Sequence, residues 1–385
     1  MNDTVRPGSG VAPPDTPTSA SINRVRIIDL ADIALDEAVR GEQAYHLLSV
    51  PALIDYAQQA ADELRLPHRY RHADPALPRI RQELPRYIND CLNSTYPQVQ
   101  SAAHALAQRM GRNLGYILIA LQRGDPLNRA ARPDWPTEAW EDWADVRKAW
   151  LGGGLLSGTL GDEIVTHAWA LLMQTGYADT LTVAKTPRPH HMALLGASRY
   201  LPIEDGNGLC LDLGQTSVKR AVMTFDQGTL TRMRWLPSMP VAWRWQNTLQ
   251  AQRAIDGHEV LAFVVEAIAD AQTSVENQDL ALAPEAMLSV AAYVSDGHLL
   301  GNGLYAQMDG LAADVQSLIS ARVRQLCGVD LSLSFIHDGT AAAALHAGEP
   351  SSAVIVVGTA LGVGFPPPTS DGLRSLSQHL VIEEI

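Results

Sequence analysis

Twice along this 385-residue chain an apolar run leads directly into a turn rich in glycine and threonine. The first is Leu209-Cys210-Leu211 followed by Asp212-Leu213-Gly214-Gln215-Thr216; the second is Val354-Ile355-Val356-Val357 followed by Gly358-Thr359-Ala360-Leu361-Gly362-Val363-Gly364. A short apolar run bounded by turn residues is a buried strand. Glycine after such a strand lets the backbone approach a phosphate closely, and threonine hydroxyls and exposed amides can donate hydrogen bonds to it. Asp212, at the strand end, is placed to hold magnesium through water, because that ion prefers carboxylate and water oxygens. Lys219 is either a phosphate partner or a solvated strand residue. Taken alone, each turn is also compatible with an ordinary glycine hairpin; two of them constrain the chain more than one.

Between the turns, Asp338 follows the strand Leu331–Ile336 and precedes an alanine-rich segment. An aspartate there can serve as a general base, or it can simply cap a helix N-terminus. Gly152-Gly153-Gly154 offers a side-chain-free surface for a base and ribose, or a tight strand-to-helix turn. Asn302, in Gly301-Asn302-Gly303, is a candidate sugar contact or a plain turn.

The surrounding pattern alternates helices and strands. Val99, Ala103, Leu106, Met110, Leu114, Ile117 and Leu121 predict a helix over 99–121 ended by Gly124-Asp125-Pro126, and Pro51 with Ser49 as cap predicts another over 51–64. The Pro- and Arg-rich connection between them is given no element. Lys148–Leu151 reads as a strand before the triple glycine, with an amphipathic helix after it ending near Gly176. Leu181–Ala184 is a strand, and Met192–Tyr200 a closely packed helix around Gly196-Ala197. Then come a meander over 209–211, 218–225 and 229–235, a helix over 258–274, a strand over 288–294, a helix over 311–326, the strand before Asp338, a helix over 341–347 and a closing hairpin over 353–365. This pattern belongs to the α/β class.

Composition narrows the function. The length allows two domains. No apolar run approaches the ~20 residues of a membrane helix, and residues 1–21 read as a disordered tail rather than a secretory signal, so a cytoplasmic protein is expected. Cys91, Cys210 and Cys327 are far apart without a CxxC pair, which argues for buried thiols rather than disulfides or zinc. A net charge of −13 opposes nucleic-acid binding, although Arg65, Arg69, Arg71, Arg79, Arg81 and Arg86 form a locally basic stretch that reads as a solvated face.

In combination these segments resemble the ROK family of sugar kinases and regulators, within the actin/hexokinase-like ATPases. Asp212-Leu213-Gly214-Gln215-Thr216-Ser217-Val218-Lys219 is similar to the family's first phosphate motif, His337-Asp338-Gly339-Thr340 with the alanines after it to its catalytic segment, and Gly358–Gly364 to its second phosphate motif. Gly152–Gly154 and Leu195-Gly196-Ala197 resemble its adenosine loop and closing helix. The order differs: the adenosine-like loop precedes Asp212 by about 60 residues, and Tyr45–Leu53 resembles a segment the family places after its second phosphate motif. Circular permutation reconciles the two. Ala360 stands where the family has glycine, His337 where it has a sugar-binding asparagine, and of its Glu-x-Gly-His segment only His379 finds a match.

The resemblance implies a two-lobed, actin-like (ribonuclease H-like) fold in permuted order, with a disordered tail over 1–21, a larger lobe over 22–190 plus 335–385, and a smaller lobe over 191–334. It implies ATP and Mg as cofactors and phosphorylation of a sugar hydroxyl. Asp338 would be the base; Asp212, Gly214, Gln215, Thr216, Lys219, Gly358, Thr359, Gly362 and Gly152–Gly154 would hold the nucleotide; His337, Asn302 and His379 would contact the substrate. The expected partner is a small-molecule sugar, with a homodimer as an allowed assembly and neither a membrane nor a nucleic acid. The alternative function is a catalytically inactive sugar-binding regulator or sensor of the same fold.

Overall fold

The computed structural model of the chain describes residues 11–75, 77–241 and 255–384. Its strands are β1 (Lys148–Gly152), β2 (Thr182–Lys185), β3 (Gly206–Leu213), β4 (Ser217–Asp226), β5 (Thr229–Pro240), β6 (Leu282–Val290), β7 (Tyr293–Ser295), β8 (His298–Leu300), β9 (Ser332–His337), β10 (Ser352–Val357), β11 (Leu361–Gly364) and β12 (Ser375–Glu384). Strands and helices alternate along the chain, and the sheets mix parallel and antiparallel pairs, which makes this an α/β protein. No helix among the described residues is long and apolar enough to cross a membrane.

Contacts divide the chain into two compact units, each discontinuous in sequence. The helical unit comprises Pro17–Met192 and Glu349–Pro366. Its four-stranded sheet runs β11-β10-β1-β2, with β1 parallel to both β10 and β2 and with β11 returning antiparallel on β10. The helix Pro97–Arg123 lies on the helix Gly158–Gln174, and its apolar stripe is buried from Val99 to Leu121. Gly124, in left-handed conformation, closes the long helix as its sequence predicts. Ser49 caps the helix Val50–Gln59 by accepting from Ala52 N at 3.2 Å.

The Pro- and Arg-rich connection contains an unanticipated helix, Pro78–Leu92, with Pro85 inside it. Ile80, Leu84, Ile88 and Leu92 bury one face at helical spacing, and that burial outweighs the hydrogen bond a mid-helix proline removes. Most arginines of this stretch are tied down locally. Arg71 pairs with Asp62, Arg79 with Glu83, Arg65 lies over the Tyr96 ring, and Arg81 Nε donates to Pro75 O. The stretch is an internally compensated face.

The sheet unit comprises Ala193–Gly348 with the described residues 11–16 and 367–384. Its six strands run β12-β5-β4-β3-β6-β9, antiparallel through the β3–β4–β5 meander and parallel across β3, β6 and β9. Gln227 and Gly228, both at positive φ, make the tight β4–β5 turn. Both faces are covered, so the central strands read as nearly unbroken apolar runs. Leu209, Leu211 and Leu213 face the helices Gly257–Glu276 and Val315–Cys327, while Cys210, Met223 and Ile336 face a second core that includes Leu194, Leu195, Ala341 and Ala344. Cys91 and Cys210 are buried free thiols, as expected; Cys327 is half-buried.

The expected lobe boundaries need two corrections. Residues 335–348 and 367–384 belong to the sheet unit, not to the lobe of the adenosine-like loop, because β9 is hydrogen-bonded to β6 and β12 to β5. The expected tail over 1–21 is anchored where it is described: Thr16 N donates to Val294 O at 2.7 Å, Ser19 Oγ to Asp142 at 2.7 Å, and Trp143 Nε1 to Ser19 O at 2.8 Å. Residues 1–10 lie outside the described residues.

Candidate active site

Loops at the carboxyl ends of parallel strands are where α/β proteins place their ligands. In the sheet unit three such ends lie side by side. Register puts Asp212 of β3 beside Ser289 of β6, and Leu213, Val290 and His337 of β9 in the next row. Alternation along a strand turns Asp212 to the Cys210 side of the sheet, the side that carries the helix Asp338–Ala343.

Asp212 is almost fully buried and paired across the β3–β4 ladder with Lys219, whose Nζ donates to Oδ2 at 2.8 Å. Ser289 Oγ lies 3.4 Å from the other oxygen. The turn between these strands is compact: Gly214 N donates back to Asp212 O at 3.0 Å, and the Tyr305 hydroxyl donates to Gly214 O at 2.9 Å. Tyr305 is fully buried, and burial followed by the nearby Asp212 charge raises its phenol well above the ordinary range. It is therefore a permanent donor that fixes the peptide at the turn. Gln215 is exposed at the tip, with Thr216 half-buried beside it. Gly214 has ordinary φ; what excludes a side chain there is Ser217 O, 3.0 Å from where a Cβ would stand.

His337, not Asp338, caps the following helix: its Nδ1 accepts from Thr340 N at 3.3 Å. The same ring sits 3.1 Å, through Nε2, from Asp338 Oδ1, which also accepts from Gly339 N at 2.6 Å. The cap role weighed for Asp338 from sequence thus belongs to its neighbour. Burial pushes the Asp338 carboxyl up to about 7, with the Asp212 charge adding to the rise and Gly339 N–H and Lys219 opposing it. The side chain keeps 23% of its surface accessible, so water reaches it. Burial also drives His337 down to about 3, which makes it a neutral ring. A carboxyl poised near neutrality beside a second carboxylate is a proton acceptor suited to acid–base chemistry.

Close packing brings the helix Met192–Ser198 onto this region. A Cβ on Gly196 would stand 1.7 Å from Ala341 O, so only glycine permits the contact that the small pair at 196–197 predicted.

The helical unit assembles its own motif from backbone. β1 and β10 are parallel neighbours, with Gly152 opposite Val356, so Gly152–Gly154 and the β10–β11 tip at 358–360 emerge together. Gly153 has φ +97°, and a Cβ there would lie 2.4 Å from Val357 O. A Cβ on Gly152 would overlap Met192 Sδ at 1.9 Å, whereas one on Gly154 meets nothing within 4 Å. Packing explains the first two glycines, and only the third faces room for a ligand. Gly358 O accepts from Val50 N at 2.8 Å, and Asn23 brackets Leu361, donating to its O at 2.8 Å and accepting from its N at 2.9 Å. Thr359 sits half-buried at the tip, and Gly362 pairs with Val356.

Three substrate contacts expected from sequence fare differently. His379 is exposed on β12, five strand positions from β9, which is about 24 Å at ~4.8 Å per step. It cannot share a substrate with Asp338. His337 is 3% exposed with both ring nitrogens engaged, so it is not available as a sugar ligand. Asn302 is exposed in the loop after β8, on a segment whose Tyr293 ring packs at a tilt against His337 with ring centroids 5.3 Å apart. Ser289, Tyr305 and Thr340 are site residues the sequence reading missed. Ser289 carried one signal, a lone hydroxyl within Met287-Leu288-Ser289-Val290; Tyr305 carried none.

Among the described residues no group of three or more His, Cys, Asp or Glu is placed to hold a metal ion. Magnesium does not require one, since it keeps most of its waters and takes one or two carboxylates plus substrate phosphates. Asp212 fits that lesser demand, provided Lys219 yields Oδ2. A polar recess of about 560 Å³ in this unit lies elsewhere, lined by Asp314, Ser317 and Ser332 at the opposite end of β9. Compared with known protein families and with curated proteins, the chain matches none.

Proposed function

We propose that the protein transfers the γ-phosphoryl group of ATP to a hydroxyl of a sugar or similar polyol, on a two-lobed fold of the actin-like ATPase kind in permuted order, as a ROK-type carbohydrate kinase. The observation that carries this reading is the pair Asp212 and Asp338 at the ends of parallel strands β3 and β9, one paired with a lysine and the other poised near neutrality. Phosphoryl transfer asks little more of a protein than positioning, charge compensation and an aspartate to accept the hydroxyl proton. Asp338 takes that proton as the sugar oxygen bonds to phosphorus and the bond to the leaving diphosphate breaks. Asp212 would hold magnesium through water, and Lys219, if released from Asp212, would offer its charge to phosphate. Magnesium, when bound, neutralises charge on the phosphoryl oxygens. In the helical unit, the Gly154 backbone is the part of the triple glycine with room for a ligand.

The test is ADP release from ATP and Mg across a panel of hexoses, pentoses and polyols, with sugar binding measured in parallel by calorimetry. Sugar-dependent ADP release is expected. A panel that binds sugar without turnover would sink the kinase reading and leave a sugar-binding regulator, which the engagement of Asp212 by Lys219 in this structure favours as the second reading.

A further inference from the structure

We infer that His337 is a positioning residue for Asp338: it holds the carboxylate through Oδ1, so that Oδ2 alone receives the proton of the attacking hydroxyl. The inference rests on the kinase reading above. The imidazole is held on three sides. Nδ1 accepts from Thr340 N at 3.3 Å and lies 3.2 Å from Thr340 Oγ1, Nε2 lies 3.1 Å from Asp338 Oδ1, and the Tyr293 ring packs on it at 5.3 Å. A ring nitrogen that accepts from a backbone N–H carries no proton, so the neutral ring bears its hydrogen on Nε2 and donates it to Oδ1. Gly339 N donates to that same oxygen at 2.6 Å. With two donors Oδ1 is saturated, while Oδ2 has no hydrogen-bond partner among the described residues and the side chain keeps some access to solvent.

The arrangement removes rotation of the carboxylate as a variable. As the hydroxyl O–H bond breaks, its proton passes to Oδ2; the freed oxygen bonds to phosphorus, and the electron pair of the breaking P–O bond leaves with the diphosphate. His337 neither gains nor loses a proton. An asparagine in its place would still cap the helix, since asparagine is a favoured cap, yet its side chain is too short to serve Thr340 N and Asp338 Oδ1 together.

The test compares wild type with His337→Asn. Turnover is expected to fall about ten- to a hundredfold with the sugar KM within about threefold, the pattern of a misaligned base rather than a lost ligand. An unchanged kcat, or a loss confined to KM, would overturn the inference. Independently of activity, ¹⁵N NMR of the wild-type histidine side chains should show His337 protonated on Nε2 and bare on Nδ1, with the Nε2–H resonance moving in Asp338→Asn. A proton on Nδ1, or no response to Asp338→Asn, would overturn it even if His337→Asn fails to fold. If the expected tautomer is found but no sugar is phosphorylated, the kinase reading falls and takes the proton-acceptor role with it. If sugar is phosphorylated with the wrong tautomer, only the positioning role falls.

Discussion

Both units present a glycine-tipped hairpin after an apolar strand, but they build it from different materials. At the β3–β4 tip the neighbours are side chains: Lys219 on Asp212, Ser289 beside it, the Tyr305 hydroxyl on Gly214 O. At the β10–β11 tip they are mainly backbone, with Val50 N on Gly358 O and Gly153 pressed against Val357. One motif is electrostatic and the other steric. Similar sequence signatures therefore need not fail in similar ways: at neutral pH, loss of a charged group at the sheet-unit tip should show first in chemistry, and a side chain added at a packed glycine of the helical unit should show first in stability.

The largest test of that contrast is Asp338→Asn. On the proposed kinase reading this variant removes the base and should lower kcat by about 10²- to 10⁴-fold without unfolding the protein, measured by steady-state kinetics beside a thermal melt. Activity within twofold of wild type would break the comparison at its charged end.

Next come the pH profiles of stability. The folded state retains a proton on Asp338 up to about pH 7 that an unfolded chain releases near the ordinary 3.8, so this group alone weakens the fold as pH rises through that window. His337, lowered from 6.5 to about 3, refuses a proton that the unfolded chain accepts, so it alone strengthens the fold as pH rises. Between about pH 4 and 6.5 the pair carries one proton in either state and the slopes cancel. Asp338→Asn should expose the histidine slope, with stability lost as pH falls from 6.5 to 4. His337→Asn should expose the opposite slope, with stability lost as pH rises from 4 to 7, each on the order of 2–3 kcal/mol. Urea titrations at both ends of the window check the signs; slopes of the same sign in the two variants would refute the coupling.

In the helical unit, Gly153→Ala forces a side chain into left-handed backbone against Val357 and should cost about 2 kcal/mol or more, while Gly154→Ala stays within ~0.5 kcal/mol. If Gly154 lines the nucleotide, the second variant raises the ATP KM instead. Denaturation and ATP kinetics on both separate packing from binding. Smaller still, Tyr305→Phe removes the donor to the half-buried Gly214 O and should cost about 1 kcal/mol, and His379→Ala should leave turnover unchanged.

The elements most legible in sequence were those whose local signals agreed. The helix over 99–121 had a stripe and a glycine stop, the helix after Ser49 had a cap and a first-turn proline, and the meander had Asp226-Gln227-Gly228 at its turn. The helix Pro78–Leu92 was hidden because Pro85 argues locally against it, and β12 because a half-exposed edge strand shows little apolar pattern. At the site, Asp212, Gly214 and Asp338 were readable from residue type and position after strands. The division of labour between His337 and Asp338 was not, since both are good caps and only the orientation of the imidazole decides which one serves.

The sequence by itself determined the α/β class, the strand-then-glycine turns in both halves and the candidate carboxylates, because these depend on periodicity, backbone freedom and residue chemistry within a few positions. Tertiary structure decided what those residues are free to do. It set β9 beside β6, which places Asp338, directly after β9, at the same end of the sheet as Asp212, and it moves residues 335–348 out of the lobe expected for them. It buried His337 against Tyr293, leaving its nitrogens for Thr340 and Asp338, and it put His379 on the far edge strand. Strand order and burial arise from contacts between residues far apart in the chain, so no local pattern records them.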